Sequence, residues 1–274
     1  MKLKIGIFDS GIGGFTILRT LMKTREDIEV FYLADTKRVP YGNKNIEQIR
    51  FIAKDICNWF KDKNLDALLI ACNTTNACAL DILENNLQIP CFDLIKSVSE
   101  IVTKKYIGVL ATPATIKTSY YKKIIESKRE NVEVFQQACP EFVSEIEKTN
   151  LDLNRLNYLS DLYITPLLKE NIEEIILGCS HYPLIYDVLK SKMHSNIRII
   201  DPSVALVNNF NNSFLIPKNY SYESTFNDNI KFFVTQNSED FSKKVKYWLE
   251  INKEISWLTS EAMIDSLIYV RGQL

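Results

Sequence analysis

The sequence predicts an α/β protein built on mostly parallel sheets, and three observations carry that expectation. Short runs rich in Ile, Val and Leu alternate with longer segments of helical period, the pattern of strands wrapped by helices. The 274 residues are 46% hydrophobic, enough for two ordinary domains that each bury a core. There is also an internal echo. Ile5–Ser10 resembles Ile107–Thr112, 102 positions on, and Ala71–Thr74 resembles Gly178–His181, 107 positions on. A nearly constant offset points to two similar halves of common design.

In chain order the strand candidates are Lys2–Phe8, Val30–Ala34, Ala67–Ala71, Cys91–Leu94, Tyr106–Ala111, Val132–Gln136, Glu174–Leu177, Ile197–Ile200 and Lys231–Val234. Between the second and third, Ile46, Ile49, Ala53, Ile56 and Phe60 recur every three or four residues, so the segment 44–62 is read as a helix with one apolar face. Asn208–Asn229, rich in Asn, Ser and Tyr and without a clear period, reads as a linker. A capped amphipathic helix is expected over Ser238–Glu250, and Ile251–Leu274 has helical composition without recognisable chemistry.

Charge narrows the function. Lys plus Arg number 33 and Asp plus Glu 34, a net charge of -1, so no basic field is available to hold a nucleic acid. The expected ligand is small. No apolar run approaches the roughly 20 residues of a membrane span, and Ile5–Phe8 is too short for a signal-peptide core. A cytoplasmic protein is expected. Its six cysteines, with no paired C-x-x-C spacing, are then reduced thiols, and neither disulfides nor a structural metal are expected.

Cys72 and Cys179 each follow an apolar strand and precede polar residues suited to starting a helix, Asn73-Thr74 and Ser180. Such strand ends are where ligands bind in open α/β sheets, and a helix start favours thiolate over thiol. Cys57, Cys78, Cys91 and Cys139 read instead as inert core thiols. Of the two histidines, His194 lies in a polar surface segment, whereas His181 stands two residues from Cys179, placed to hold a thiolate or relay a proton. Asp9 ends the first strand and opens Asp9-Ser10-Gly11-Ile12-Gly13-Gly14, whose glycines let the backbone approach a ligand; it is the matching partner for Cys72. The same loop, with Asp35 ending the next strand, partly imitates a dinucleotide fingerprint, but Thr16 holds the third glycine position. A nucleotide or other small-molecule binding protein is therefore the non-enzymatic alternative.

Read together, Phe8–Gly14, Asp35–Gly42, Ala71–Thr74 and Gly178–Pro183 resemble the glutamate racemases of the aspartate/glutamate racemase superfamily, and Cys139-Pro140-x-Phe142-Val143 fits the same pattern. The resemblance implies two three-layer α/β domains facing each other across an active-site cleft, the first formed by 1–96 plus 208–274 and the second by 97–207. It implies interconversion of L- and D-glutamate with no cofactor and no metal, supplying D-glutamate for peptidoglycan. Cys72 and Cys179 become the acid/base pair, with Asp9, His181 and Glu147 beside them. Asp9, Ser10, Tyr41, Gly42, Asn73, Thr74, Ser180 and His181 are implied to contact the amino acid, as are Thr112, Thr115 and Thr118. An aspartate or hydantoin racemase is the enzymatic alternative. The partners implied are the two glutamate enantiomers, with no nucleic acid or membrane, and a homodimer stays open beside a monomer.

Three positions depart from the family pattern. Ser180 stands where Thr is usual, which keeps the hydroxyl and loses a methyl group. Cys91–Ser97 replaces a glycine-containing strand running into Glu-Pro at the interdomain connection, and Ser144 replaces a proline.

Overall fold

The computed structural model describes residues 2–215 and 229–249. In chain order the elements are β1 (Leu3–Asp9), α1 (Phe15–Met22), β2 (Ile28–Ala34), α2 (Ile46–Lys61), β3 (Ala67–Ile70), α3 (Asn73–Asn86), β4 (Cys91–Asp93), α4 (Leu94–Ser99), β5 (Tyr106–Ala111), α5 (Pro113–Thr118), α6 (Tyr120–Lys128), β6 (Glu133–Ala138), α7 (Phe142–Ile146), α8 (Leu153–Leu168), β7 (Glu174–Gly178), α9 (Tyr186–Lys190), β8 (Arg198–Ile200), α10 (Pro202–Ser213), β9 (Ile230–Val234) and α11 (Ser238–Leu249). A 3-10 turn over Tyr182–Ile185 links β7 to α9. Each strand candidate from the sequence falls on one of these strands, with no end moved by more than two residues.

Two sheets result, one ordered β4-β3-β1-β2-β9 and the other β6-β5-β7-β8, with every pairing parallel. Read from its other edge, the second sheet runs β8-β7-β5-β6, the order of β4-β3-β1-β2 in the first. The echo in the sequence thus has a counterpart in topology, β1 matching β5 and β3 matching β7. In each sheet the chain leaves the central strand to one side and then returns to the other. Such a reversal opens a crevice at the carboxyl ends of the two strands where it occurs, here β1/β3 and β5/β7.

Local chemistry accounts for the elements that shape this crevice. In β1, Ile5, Ile7 and Phe8 are all fully buried, as expected of a central parallel strand covered on both faces. Asn45 starts α2 through a capping box, its side chain accepting from the Gln48 N–H at 2.8 Å while Gln48 Oε1 accepts from the Asn45 N–H at 3.1 Å. Ile49, Ile52, Ala53, Ile56 and Phe60 form its buried face. At the departure over Cys91–Ser97, Asp93 caps α4, its Oδ1 accepting from the N–H groups of Ile95 at 2.7 Å and Lys96 at 3.2 Å. Its other oxygen accepts from Tyr120 Oη at 3.0 Å, so the link between the sheets begins as a capped helix tied to α6. Ser144 lies in the first turn of α7, donating to the Glu141 carbonyl at 2.9 Å.

The linker expected at Asn208 is corrected. α10 starts on the Asp201 cap and Pro202 and runs through Ser213, because Ala205, Leu206, Val207 and Phe210 give it an apolar face while the asparagines take the solvent side. The rest of that expected linker, 216–228, and the segment 250–274 lie outside the described residues. After them β9 joins the first sheet beside β2, and α11 sets Phe241 against Phe15 of α1, ring centroids 5.3 Å apart. This packing brings α11 alongside the glycine loop that precedes α1.

Candidate active site

Cys72 lies two residues beyond β3 at the start of α3, and Cys179 directly follows β7. They occupy equivalent crevice positions in the two sheets. Both are buried, 3% and 5% exposed, and Cys179 is near enough that its charge opposes ionisation of Cys72. Asp9 ends β1, the strand beside β3, and Thr112 follows β5, the strand beside β7.

On the Cys72 side, Asp9 Oδ1 accepts from the Gly11 N–H at 2.8 Å, and Oδ2 accepts from Ser180 Oγ at 2.8 Å. Burial raises the Asp9 carboxyl above its ordinary range, outweighing the opposing His181 charge and the two hydrogen bonds. Burial first, and Asp9 second, push the Cys72 thiol up to about 12 against the Thr75 hydroxyl and N–H, which favour charge on sulfur. At Cys72, burial therefore opposes the thiolate that the helix start favours. Raising a thiol from 9.0 to about 12 corresponds to ~4 kcal/mol, whereas a helix terminus supplies about 0.3–1 kcal/mol.

On the other side, no long helix starts after Cys179: a 3-10 turn and the five-residue α9 follow it. The neighbour that matters is His181, whose Nδ1 lies 3.9 Å from Cys179 Sγ and whose Nε2 lies 2.7 Å from Glu147 Oε1. The Ile12 N–H donates to the same oxygen at 3.0 Å, and Lys244 Nζ donates to Oε2 at 3.1 Å. Burial alone would lower the imidazole, but the Cys179 and Glu147 contacts outweigh it and hold His181 well above its ordinary value. Burial likewise opposes ionisation of Glu147, yet His181, Lys244 and the Ile12 N–H bring it down to about 2. An imidazolium–carboxylate pair stands behind Cys179.

The glycine loop lies against residues of the second sheet's half. A Cβ built on Gly11 would lie 2.0 Å from Glu147 Oε1, and one on Gly13 would lie 2.2 Å from Ser180 Oγ. The missing side chains admit the opposite half of the protein. Tyr32 Oη holds this loop by donating to the Gly11 carbonyl at 3.0 Å, and Ser10 is buried within it.

Hydroxyls close the other flank. Thr74 and Thr112 Oγ1 are 2.9 Å apart, Thr112 and Thr115 3.0 Å, and Thr115 and Thr74 3.5 Å, while the Ala114 N–H donates to the Gly42 carbonyl at 2.9 Å. Thr118 does not join them: its hydroxyl donates to the Thr115 carbonyl and accepts from the Tyr120 N–H, closing the turn between α5 and α6. Asn73 Oδ1 accepts from Tyr121 Oη at 2.6 Å, and its Nδ2 is buried without a partner among the described residues. Tyr41 Oη donates to Asp35, leaving Tyr41 only its backbone and ring to offer a ligand. Asp35 also accepts from Arg38 and Thr235 and is fully buried, so the ribose-binding role of the nucleotide alternative is not open to it. Cys57, Cys78 and Cys139 are buried, Cys91 is half-buried, and His194 is exposed.

Sequence reasoning missed three contributors. Tyr121 carries no local signal. Thr75 could have been noticed as a third hydroxyl-bearing or amide residue directly after Cys72. Lys244 forms an i,i+4 pair with Asp240 at 2.8 Å, which in sequence reads as an ordinary solvated helix pair.

Comparison with known proteins agrees with this geometry. A family model described as Asp/Glu/Hydantoin racemase matches residues 16–210. A protein named glutamate racemase from Prochlorococcus marinus (strain NATL1A) is 44% identical over 257 residues, covering 93% of this chain and 96% of its own length. The crystal structure of a glutamate racemase from Bacillus anthracis superposes with a TM-score of 0.84 at 28% identity, covering 94% of this chain and 97% of that one. Glutamate racemase from Francisella tularensis, solved in complex with D-glutamate, gives 0.83 at 30% identity, covering 96% and 99%. With the match spanning well over half of its length, this chain belongs to the Asp/Glu/Hydantoin racemase family.

Proposed function

We propose that this protein interconverts L- and D-glutamate by removing the α-proton with one cysteine and returning a proton from the other. The observation that carries the reading is the placement of Cys72 and Cys179 at equivalent crevice positions of two like sheets. An amino acid held between them presents opposite faces of Cα to the two sulfurs, so a proton lost on one side and regained on the other inverts the centre. Two groups are required by stereochemistry, and each must act as base in one direction and acid in the other. Glutamate is taken as the substrate because the relatives compared above are named glutamate racemase.

Each thiol has its own support. Asp9 stands beside Cys72, the face assigned to D-glutamate, and His181 with Glu147 stands behind Cys179, the face assigned to L-glutamate. The Asn73 amide, the Thr74, Thr112 and Thr115 hydroxyls and the Gly42 backbone supply donors for the carboxylate, whose charge grows as the α-proton leaves. Closure around the substrate strengthens these bonds by excluding water. The same reading divides the chain into one domain of 1–96 plus 208–274 and another of 97–207, with both crossings falling inside helices, α4 and α10, rather than in linkers. It sets the enzyme in the cytoplasm, where D-glutamate would supply peptidoglycan synthesis.

Incubation of the purified, pyridoxal-free protein with L-glutamate in deuterated water tests the reading. Loss of optical rotation together with α-deuteration is expected. Racemisation of L-aspartate in preference to L-glutamate, or dependence on added pyridoxal phosphate, would overturn it.

A further inference from the structure

Glu147 is reached from the opposite half of the protein. Lys244, on α11, places Nζ 3.1 Å from Glu147 Oε2, and its side chain is 12% exposed. The other carboxylate oxygen is shared by His181 Nε2 and the Ile12 N–H. Both oxygens of the one carboxylate behind His181 are thereby fixed, and the fixing cation lies 97 residues away in sequence.

Resting on the two-thiol reading above, we propose that Lys244 is a positioning residue for racemisation: it pins the Glu147 carboxylate so that Oε1 stays on His181 Nε2 and His181 Nδ1 stays on Cys179. A carboxylate 14% exposed that loses one charged donor turns toward another donor or toward water, because an unpaired buried carboxylate oxygen is costly. Turning would lift Oε1 from His181. The charged and titratable groups around Glu147 are His181, Lys244, Asp240, Asp9 and the Tyr32 phenol. Of these, Lys244 is the one on α11 whose charge favours the carboxylate, and Asp240 orients it from one turn earlier at 2.8 Å.

The test combines kinetics with a titration that does not depend on turnover. Lys244→Met is expected to lower kcat about ten-fold or more with little change in KM, and Lys244→Arg to restore most of it. In a His194→Gln background His181 is the single histidine, so its 15N resonances report its own titration. The pinning role predicts that Lys244→Met moves this titration down, toward that of an ordinary histidine, as the carboxylate drifts away. Were Glu147 to stay in place, loss of the nearby cation would move the titration up; an upward or absent shift overturns the proposal. Arg19→Met removes a second tether of α11, the hydrogen bond from the Arg19 guanidinium to the Trp248 carbonyl, without touching Glu147, Lys244 or Asp240. It is expected to leave kcat and the His181 titration unchanged, and an equal loss in this variant would assign the effect to helix docking and overturn the proposal. A parent protein inert toward glutamate would fail the two-thiol reading instead, and the His181 titration would still decide the role of Lys244.

Discussion

Ser180 Oγ donates to Asp9 Oδ2 at 2.8 Å, joining residues 171 positions apart on the two sheets. The bond lies between the residue after one candidate thiol and the carboxylate beside the other. Ser180→Ala would leave a fully buried Asp9 oxygen without its donor, a loss of about 1–3 kcal/mol. Ser180→Thr keeps the hydroxyl. Racemisation rates should therefore fall substantially in the alanine variant and little in the threonine variant, and equal rates would show that this hydroxyl does not matter to the reaction.

The His181–Glu147 pair gives stability a defined pH window. Glu147 is lowered from 4.5 to about 2, so its contribution is full above about 4.5 and is lost as pH falls through about 2. His181 is raised above 6.5, so its contribution is full below about 6.5 and is lost as pH rises through the folded-state value. The stability advantage over Glu147→Gln should thus be largest between about pH 4.5 and 6.5 and reach the order of 3 kcal/mol there. Urea unfolding of both proteins across this range measures it. A constant difference at all pH values would show that the pair is not charged in the folded protein.

Gly11→Ala inserts a Cβ 2.0 Å from Glu147 Oε1. An exposed glutamate would swing aside at little cost, but this one is held by His181, Ile12 and Lys244. The variant should lose at least ten-fold in kcat, about 1.4 kcal/mol, with the His181 titration moved downward. Wild-type rates would show that the carboxylate has room to move without consequence.

These contacts show which parts of the site the sequence carries. Cys72, Cys179, Asp9 and His181 stand at or within three residues of strand ends, and apolar runs that mark the strands also mark those positions. What joins the two halves is not local. Lys244 meets Glu147 only because β9 returns to the first sheet and Phe241 docks α11 on Phe15, and no spacing encodes that path. The glycines at 11 and 13 were legible as a close approach, but not as an approach to Glu147 and Ser180. The balance at Cys72 is not legible for the same reason, since the sequence shows a helix start and not the burial that opposes a thiolate there. The end of α10 is illegible for a related reason: its asparagines suggest a loop, and the apolar face that overrides them is evident only once its neighbours are in place.

The two faces can be told apart even though the overall reaction cannot reveal them. L- and D-glutamate have equal free energy in water, so kcat/KM must be equal in the two directions for the wild type and for any variant. Steady-state rates therefore cannot assign a thiol to an enantiomer. Cys72→Ala and Cys179→Ala should each lose racemisation in both directions, because inversion needs both groups. Proton exchange on one face needs only one. With Cys179 and the His181–Glu147 pair intact, Cys72→Ala should exchange the α-hydrogen of L-glutamate in deuterated water faster than that of D-glutamate. With Cys72 and Asp9 intact, Cys179→Ala should favour D-glutamate, and more slowly, since burial and Asp9 hold the Cys72 thiol up at about 12 and leave little thiolate at neutral pH. Raising the pH should speed the Cys179→Ala exchange in proportion to hydroxide until that thiol ionises. Enantiomer-resolved α-deuteration, with circular dichroism to confirm folding, decides the matter. A reversed preference would exchange the faces assigned to the thiols, whereas full racemisation by either variant would refute the two-thiol mechanism itself.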